Sequence, residues 1–411
     1  MLTTVLDRLT TLASKHFVIG AFVPVLVSAI VNGAVLFLEF DWFRSWASPQ
    51  ISGTARTFDA ALIFIGLAVV AHLLWSITGF LRQVLEGRHL REKSRLGRWL
   101  RQRQLERVKT LRSEYYDSRN TATDIAKQTP RWTEDLKQAA VRGLTSGKND
   151  YESTESAAKT ALKNLRDRRT QAEEITVAQL EEAVEAFKAA LEQNNIRQDP
   201  RARLLSADRR DLLVLFDYAV DEAQAREVAR ANELQARFGA TAPAPTALGN
   251  VGQSMQSYAL TRYGLDLTTF WSRLQPVLQK QDNFYSMLQE AKVQLDFLVL
   301  SVFLSALTTL VWVVILPFWG RSPWVFLAIA SLGPVATVVS YRAAVENYVA
   351  FGEIVRTGID LYRLDLLDAL HLQRPVSLRQ ERILWDTLRR VTSFGQEWVD
   401  FSYQPPREKQ T

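Results

Sequence analysis

Four stretches of this chain, Phe17 to Leu38, Ala60 to Leu81, Phe297 to Gly320 and Ser322 to Tyr341, contain no Asp, Glu, Lys or Arg. Each is about as long as the ~20 residues that a helix, rising ~1.5 Å per residue, needs to cross a ~30 Å hydrocarbon layer. A soluble protein rarely buries so long a helix without leaving it a charged face. The chain is therefore expected to cross a membrane four times, in an all-α fold. The first stretch exceeds the ~7–15-residue apolar core of a signal peptide and shows no small-residue cleavage pattern, so it reads as a retained span.

Lysine and arginine beside the spans set the orientation, because the cytoplasmic side keeps the excess of positive charge. Directly after the second span comes "RHLREKSRLGRWLRQRQLERVK", residues 88 to 109, preceded by Arg82 and opposed only by Glu86, Glu92 and Glu106. The segment between spans one and two carries only Arg44 and Arg56, and Arg321 alone separates spans three and four. Both hairpins are thus expected to point outward from a cytoplasmic (inner) membrane, with both termini and the long middle segment in the cytoplasm. Trp42, Phe43, Trp46, Phe318, Trp319 and Trp324 fit an aromatic belt at the outer interface.

Four parts follow: residues 1–81, an N-terminal tail and first hairpin; 82–292, a cytosolic helical insertion that opens on the basic helix; 293–341, the second hairpin; and 342–411, amphipathic helices at the C-terminus. The basic helix is expected to run straight out of span two, and "FYSMLQEAKVQLDF", residues 284 to 297, straight into span three, as a stalk. At headgroup depth Arg88, Arg91, Lys93, Arg95, Arg98, Arg101 and Arg103 are candidate contacts for anionic lipid, each contributing on the order of 1 kcal/mol. Since topology already accounts for the charge, nucleic acid is not the expected partner.

Within the insertion, helix breaks are predicted at Thr129-Pro130, at residues 144–150, at 194–200 and at 241–250, where proline, glycine and asparagine cluster. Val177, Leu180, Val184, Phe187 and Leu191 recur at spacings of three and four, which makes one apolar helix face. Two heptads favour packing in a local bundle over an oligomerising zipper. Residues 208–238 form a second long helical candidate. After span four, Tyr348, Phe351, Val355, Ile359, Tyr362 and Leu366 line one face of a continuing helix. Gln373-Arg374-Pro375 stops it, and Ser377 with Gln380 makes a capping-box pattern for a last helix through Ile383, Leu384, Trp385 and Leu388.

Arg262-Tyr263-Gly264-Leu265-Asp266, with Trp271 and Arg273-Leu274, and the later "FGEIVRTGIDLYRLDLLDALHLQRP", residues 351 to 375, resemble segments of a loose set of bacterial multi-span membrane proteins. The resemblance covers the last third of the chain. It implies a bacterial inner-membrane setting and carries no catalytic signature.

No chemistry-bearing motif stands up. "GLTSGK", residues 143 to 148, has too few residues between its glycines for a phosphate loop, Asn149 in place of the magnesium-binding hydroxyl, and no preceding strand. Asp135-Leu136-Lys137 lacks the upstream acid of a nuclease pattern. With no cysteine and four histidines, neither a disulfide framework, a thiolate site nor a clustered histidine metal site is expected. No cofactor and no enzymatic activity are expected.

Polar residues inside the spans are the remaining candidates. Ser28 with Asn32, His72 with Ser76, and Ser301 with Ser305 and Thr309 each recur at a spacing of four, on one helix face. Such faces can hydrogen-bond between helices, helped by the small pair Ala29 and Gly33. In an oligomer they can instead line a polar path, with His72 as its titratable member. The leading expectation is a non-enzymatic signalling or scaffold component whose cytosolic helices bind a protein partner or a second copy and couple to the spans. The alternative is an oligomeric channel or membrane-disrupting effector gated by the same domain.

Overall fold

The computed structural model describes residues 15–47, 53–90, 94–143, 151–193, 200–239 and 242–394. Among these it is all-helical, without a strand. The helices are α1 (Lys15–Glu39), α2 (Asp41–Ala47), α3 (Gly53–Leu85), α4 (Arg95–Gly143), α5 (Tyr151–Thr170), α6 (Val177–Gln193), α7 (Pro200–Arg237), α8 (Ala247–Tyr263), α9 (Leu267–Gln279), α10 (Asp282–Trp319), α11 (Pro323–Ala369) and α12 (Leu378–Phe394). Four of them, α1, α3, α10 and α11, are long and apolar enough to cross a membrane.

Two compact units share the chain, residues 1–106 with 235–411, and residues 107–234. The first contains all four candidate spans. Ser28 meets Thr308 and Asn32 meets Thr308 and Trp312, so α1 runs parallel to α10. The pairs Gln294 with Asn347, Ser305 with Thr337 and Thr309 with Gly333 make α10 and α11 antiparallel. Small residues let them approach closely, as span packing requires: a Cβ on Gly333 would fall 2.1 Å from Thr309 Oγ1. The outward faces stay apolar. Ile30, Leu73, Leu310 and Leu332, one on each long helix, are 61–66% exposed, the surface that a hydrocarbon solvent covers and water does not tolerate.

A widened π-helical turn, Val18–Phe22, interrupts α1, where the Val23 N–H reaches back to Val18 O. Pro24 follows it and lacks the N–H that would bond to Gly20, which explains why the regular ladder fails there. At the opposite end of α1, Glu39 is 1% exposed and accepts hydrogen bonds from the backbone N–H groups of Arg321 and Ser322. The same carboxylate therefore closes α1 and tethers the start of α11. Arg321 also pairs with Asp41. Trp42, Trp46, Phe318, Trp319 and Trp324 are all exposed around this end.

Away from that end, α8, α9, α12 and the polar halves of α10 and α11 share one apolar core, which includes Leu248, Phe270, Leu295, Ile359 and Trp385. As expected, α10 and α11 continue without a break from polar into apolar sequence. Tyr348, Phe351, Val355, Ile359 and Leu366 are buried on one face of α11, with Tyr362 packed at its margin. The last helix opens at Ser377, whose Oγ accepts from the Gln380 N–H, while Gln380 Oε1 accepts from the Val376 N–H, one residue earlier than in an ideal capping box. Trp385 and Leu388 are buried, and Ile383 is exposed.

The second unit has its own core, drawn from α4 to α7, with Ile125, Leu136, Leu162, Leu180, Phe187, Leu212 and Phe216 at its centre. The apolar face of α6 is spent inside it: Leu180, Val184, Phe187 and Leu191 are all buried. That is the packed-helix outcome, not a free zipper seam. Between α7 and α8 residues 242–246 are not helical, within the stretch 241–250 where the sequence places a break, while the other two predicted breaks, at 144–150 and 194–200, fall almost wholly outside the described residues.

Two expectations are overturned. Thr129-Pro130 does not end a helix, since α4 runs through Pro130 to Gly143. The lost backbone bond and ring clash cost about 3 kcal/mol, but Ile125 before it and Trp132 and Leu136 after it are buried in the same core, and that burial holds the helix together. Nor does the basic helix run straight out of span two. The third helix ends at Leu85, a turn occupies residues 86–90, and α4 begins at Arg95.

Candidate functional site

The turn after α3 organises the most polar interior of the first unit. Gly87 has φ +76°, a conformation that costs an L-residue about 1–2 kcal/mol and glycine nothing. Its N–H bonds to Val84 O and that of Arg88 to Gln83 O, the paired closure of a Schellman motif. Glu86, just before it, is 3% exposed. A buried carboxylate needs partners, and it has them: Tyr348 OH donates to Oε1 at 2.9 Å, Arg88 Nε donates to Oε2 at 2.5 Å, and Arg82 Nε lies 3.9 Å away. The Glu86 carbonyl lies against Gly249, where a Cβ would come within 2.2 Å of it. No side chain fits between the turn and α8.

On one side of this turn is a cavity of about 420 Å³ lined by Arg82, Gln83, Glu86, Arg88, Met255, Trp271, Gln275, Tyr285, Leu288, Gln289, Lys292 and Phe351, among others. On its other side is a cavity of about 390 Å³ lined by Glu86, Arg88, Arg101, Pro243, Pro245 and Gln253, among others. Each lies within the size range of ligand sites.

The two segments that carry the resemblance pack against each other. Asp360 of α11 accepts from Tyr258 OH at 2.7 and 3.0 Å and from Tyr263 OH at 2.8 Å. Burial first, and then the hydrogen bond to Asp360, push the Tyr258 hydroxyl up to about 12. Arg363 lies 3.9 Å over the Tyr263 ring and donates to Glu381 at 2.8 Å, and Trp385 Nε1 donates to the same carboxylate at 3.3 Å. Arg356, buried, donates to Ser254 Oγ at 2.6 Å and stacks on Tyr258. These bonds join α8, α11 and α12 in a polar joint, in which the Arg356 Nε is a buried donor left without a hydrogen bond among the described residues.

The predicted site residues fall in different places. Arg88 borders both cavities. Arg91 and Lys93 lie outside the described residues. Arg95, Arg98 and Arg103 are exposed on α4, with Arg103 5.3 Å over the Trp99 ring, and Arg101 is half-buried beside the smaller cavity. Of the span residues, Ser28 and Asn32 share a network with α10: Asn32 Nδ2 donates to Ser28 O at 2.7 Å and Thr308 Oγ1 at 3.2 Å, and Asn32 Oδ1 accepts from Trp312 Nε1 at 2.7 Å. Ser305 and Thr309 face α11 instead, with Thr337 Oγ1 donating to Ser305 Oγ at 3.1 Å and Thr309 Oγ1 donating to Ser305 O at 2.6 Å. Ser301 Oγ donates to Phe297 O. His72 and Ser76 are exposed on the outer face of α3, where Ser76 Oγ donates to His72 O and the histidine ring lies 6.1 Å from Phe17. The three sets do not converge within one chain.

Asp135 and Lys137 lie on α4 beside the core residue Leu136, and the "GLTSGK" stretch beyond Gly143 is outside the described residues. Among the described residues no three His, Asp or Glu could hold a metal ion. Glu86, Arg82, Lys292 and Tyr348 carry the site: the sequence marks Arg82 and Glu86 only as charges beside span two, Tyr348 only as part of an apolar helix face, and Lys292 not at all; Gly87, ahead of a charged run, was the signal available for the turn. No family model, curated protein or solved structure matches the chain.

Proposed function

We propose that this is an integral inner-membrane protein of four spans in two hairpins, with residues 82–292 as a cytosolic insertion that binds a protein partner or a second copy and couples to the spans, a non-enzymatic signalling or scaffold component. The observation that carries this reading is a second, self-contained helical core, residues 107–234, inserted in chain order between candidate spans two and three. A transporter or channel needs no such body to form its path, whereas a partner-binding protein does. The parallel run of α1 and α10, and the aromatic ring around Glu39 and Arg321, support two hairpins that point the same way, and the basic run after span two supports a cytoplasmic insertion. Because Ser28, Asn32 and Ser305 are hydrogen-bonded to neighbouring helices and Thr309 packs against Gly333 of α11, packing accounts for these span residues better than a pore does.

The chain has no cysteine, which makes single-cysteine labelling clean. With a membrane-impermeant maleimide on intact cells, Ser45→Cys is expected to label and Thr123→Cys only after lysis; the reverse pattern overturns the topology. A photo-crosslinker placed at exposed Val141 or Val228 of the full chain is expected to give one discrete adduct. No adduct from these positions, together with unitary conductance from the purified protein in planar bilayers, would favour the channel.

A further inference from the structure

The larger cavity beside Glu86 gathers cations from three places. Arg82 comes from the end of α3, Arg88 from the turn and Lys292 from α10, while Glu86 is the one carboxylate among the lining residues. Three positive charges against one negative leave two in excess. Asp296, buried on α10, is within electrostatic reach of Lys292 and Arg82 and offsets part of that. The oxygens of Glu86 are taken by Tyr348 and Arg88 at hydrogen-bond distance, so Arg82 at 3.9 Å is held only loosely. Lys292 makes no ion pair among the described residues. Gln275, Gln289 and Thr268 add neutral hydrogen-bonding groups, and Met255, Leu288 and Trp271 supply an apolar wall. This is a receptor for an anion that carries a carbon body.

Its depth narrows the source. Arg82 follows the last residue of the charge-free second span, and Lys292 stands five residues ahead of the third, roughly 7.5 Å along a helix axis. Both belong at headgroup level, where basic pockets between spans bind anionic lipid.

We propose that this cavity holds the phosphate headgroup of an anionic phospholipid, with Arg82, Arg88 and Lys292 around the phosphate and the Met255–Leu288 wall against its carbon body. The proposal rests on the four-span reading. It differs from a diffuse attraction along α4: the site is a single half-open cavity, and two of its three cations lie outside the basic run.

The full-length protein in nonionic detergent can be titrated with dihexanoyl phosphatidylglycerol and, in parallel, with dihexanoyl phosphatidylcholine, glycerol 3-phosphate and inorganic phosphate, with native mass spectrometry counting adducts. One phosphatidylglycerol per chain is expected, with binding weakened about tenfold by Lys292→Gln, a loss near 1.4 kcal/mol, and unchanged by Arg103→Gln on the exposed face of α4. Because Arg82 also faces Glu86, Lys292→Gln, at an exposed position, serves as the decisive variant, and Arg82→Lys is expected to retain binding. Equal binding of phosphatidylcholine, equal binding of the two soluble phosphates, or a Lys292→Gln variant that binds as the parent does would each overturn the proposal. A chain that stays soluble without detergent would instead overturn the four-span reading on which it rests.

Discussion

Replacing Asn32 with leucine distinguishes a packing role from a conduit more sharply than any other single change in the spans. Asn32 makes two contacts to α10, one donated to Thr308 at 3.2 Å and one accepted from the Trp312 indole at 2.7 Å. Hydrogen bonds between membrane helices contribute on average ~0.6 kcal/mol and at most ~1.7 kcal/mol each, so losing both gives about 1–3 kcal/mol. The upper half of that range applies because the buried Trp312 is left with an unpartnered N–H. His72→Ala, on an exposed face with no hydrogen bond from its ring to another helix among the described residues, is expected to change stability by less than about 0.5 kcal/mol. Both can be read from reversible unfolding in mixed micelles followed by circular dichroism. A cycle with Trp312→Phe would isolate the pair and is expected to return a coupling near 1 kcal/mol. If Asn32→Leu were as stable as the parent, or if His72→Ala cost as much as Asn32→Leu, the packing argument would fail.

Gly333→Val is expected to destabilise the α10–α11 pair by about 1–3 kcal/mol, since the added carbons meet Thr309 at once; unfolding in the same micelles checks it, and a neutral result refutes the close approach. His371, at φ 57°, closes α11 as Gly87 closes α3, so His371→Gly should stabilise by up to about 1 kcal/mol and Gly87→Ala should destabilise by a similar amount. The Asp266 carboxyl, capping α9, would be pushed up by burial, but hydrogen bonds from the Thr268 side chain and N–H and from Thr269 outweigh this and hold it below its usual value. A depressed folded pKa gives stability that is whole above the unfolded value, near 4, and is lost as pH falls through the folded one. The stability gap between the parent and Asp266→Ala should therefore close on acidification from pH 5, and a gap independent of pH would refute the cap.

The spans were legible because hydrocarbon demands so much of a helix that four uncharged stretches suffice to find it. The same holds for the face of α6 and for the Ser377 cap, where the signal is local. Pro130 misled because its effect is also local, while the burial of Trp132 and Leu136 that overrides it depends on helices from elsewhere in the chain. Spacing placed Ser28 with Asn32 and Ser305 with Thr309 but could not say that the first pair meets Thr308 while Ser305 meets Thr337 and Thr309 meets Gly333. The Glu86 site was the least visible. Its partners Lys292 and Tyr348 lie more than two hundred residues downstream, and only the folded bundle brings them to Arg82.

The clasp formed by Glu39 has a consequence for how the molecule is made. Its Oε2 gains its hydrogen bonds only when the amides of Arg321 and Ser322 arrive, and at ~5–20 residues synthesised per second that wait is on the order of tens of seconds. Throughout that interval the first two spans hold an unclosed acid at one rim and Glu86, still without Tyr348, at the other. A nascent chain arrested before the third span therefore lacks the Arg321 and Ser322 amides for Glu39 and the Tyr348 hydroxyl for Glu86, and leaves both carboxylates short of these partners.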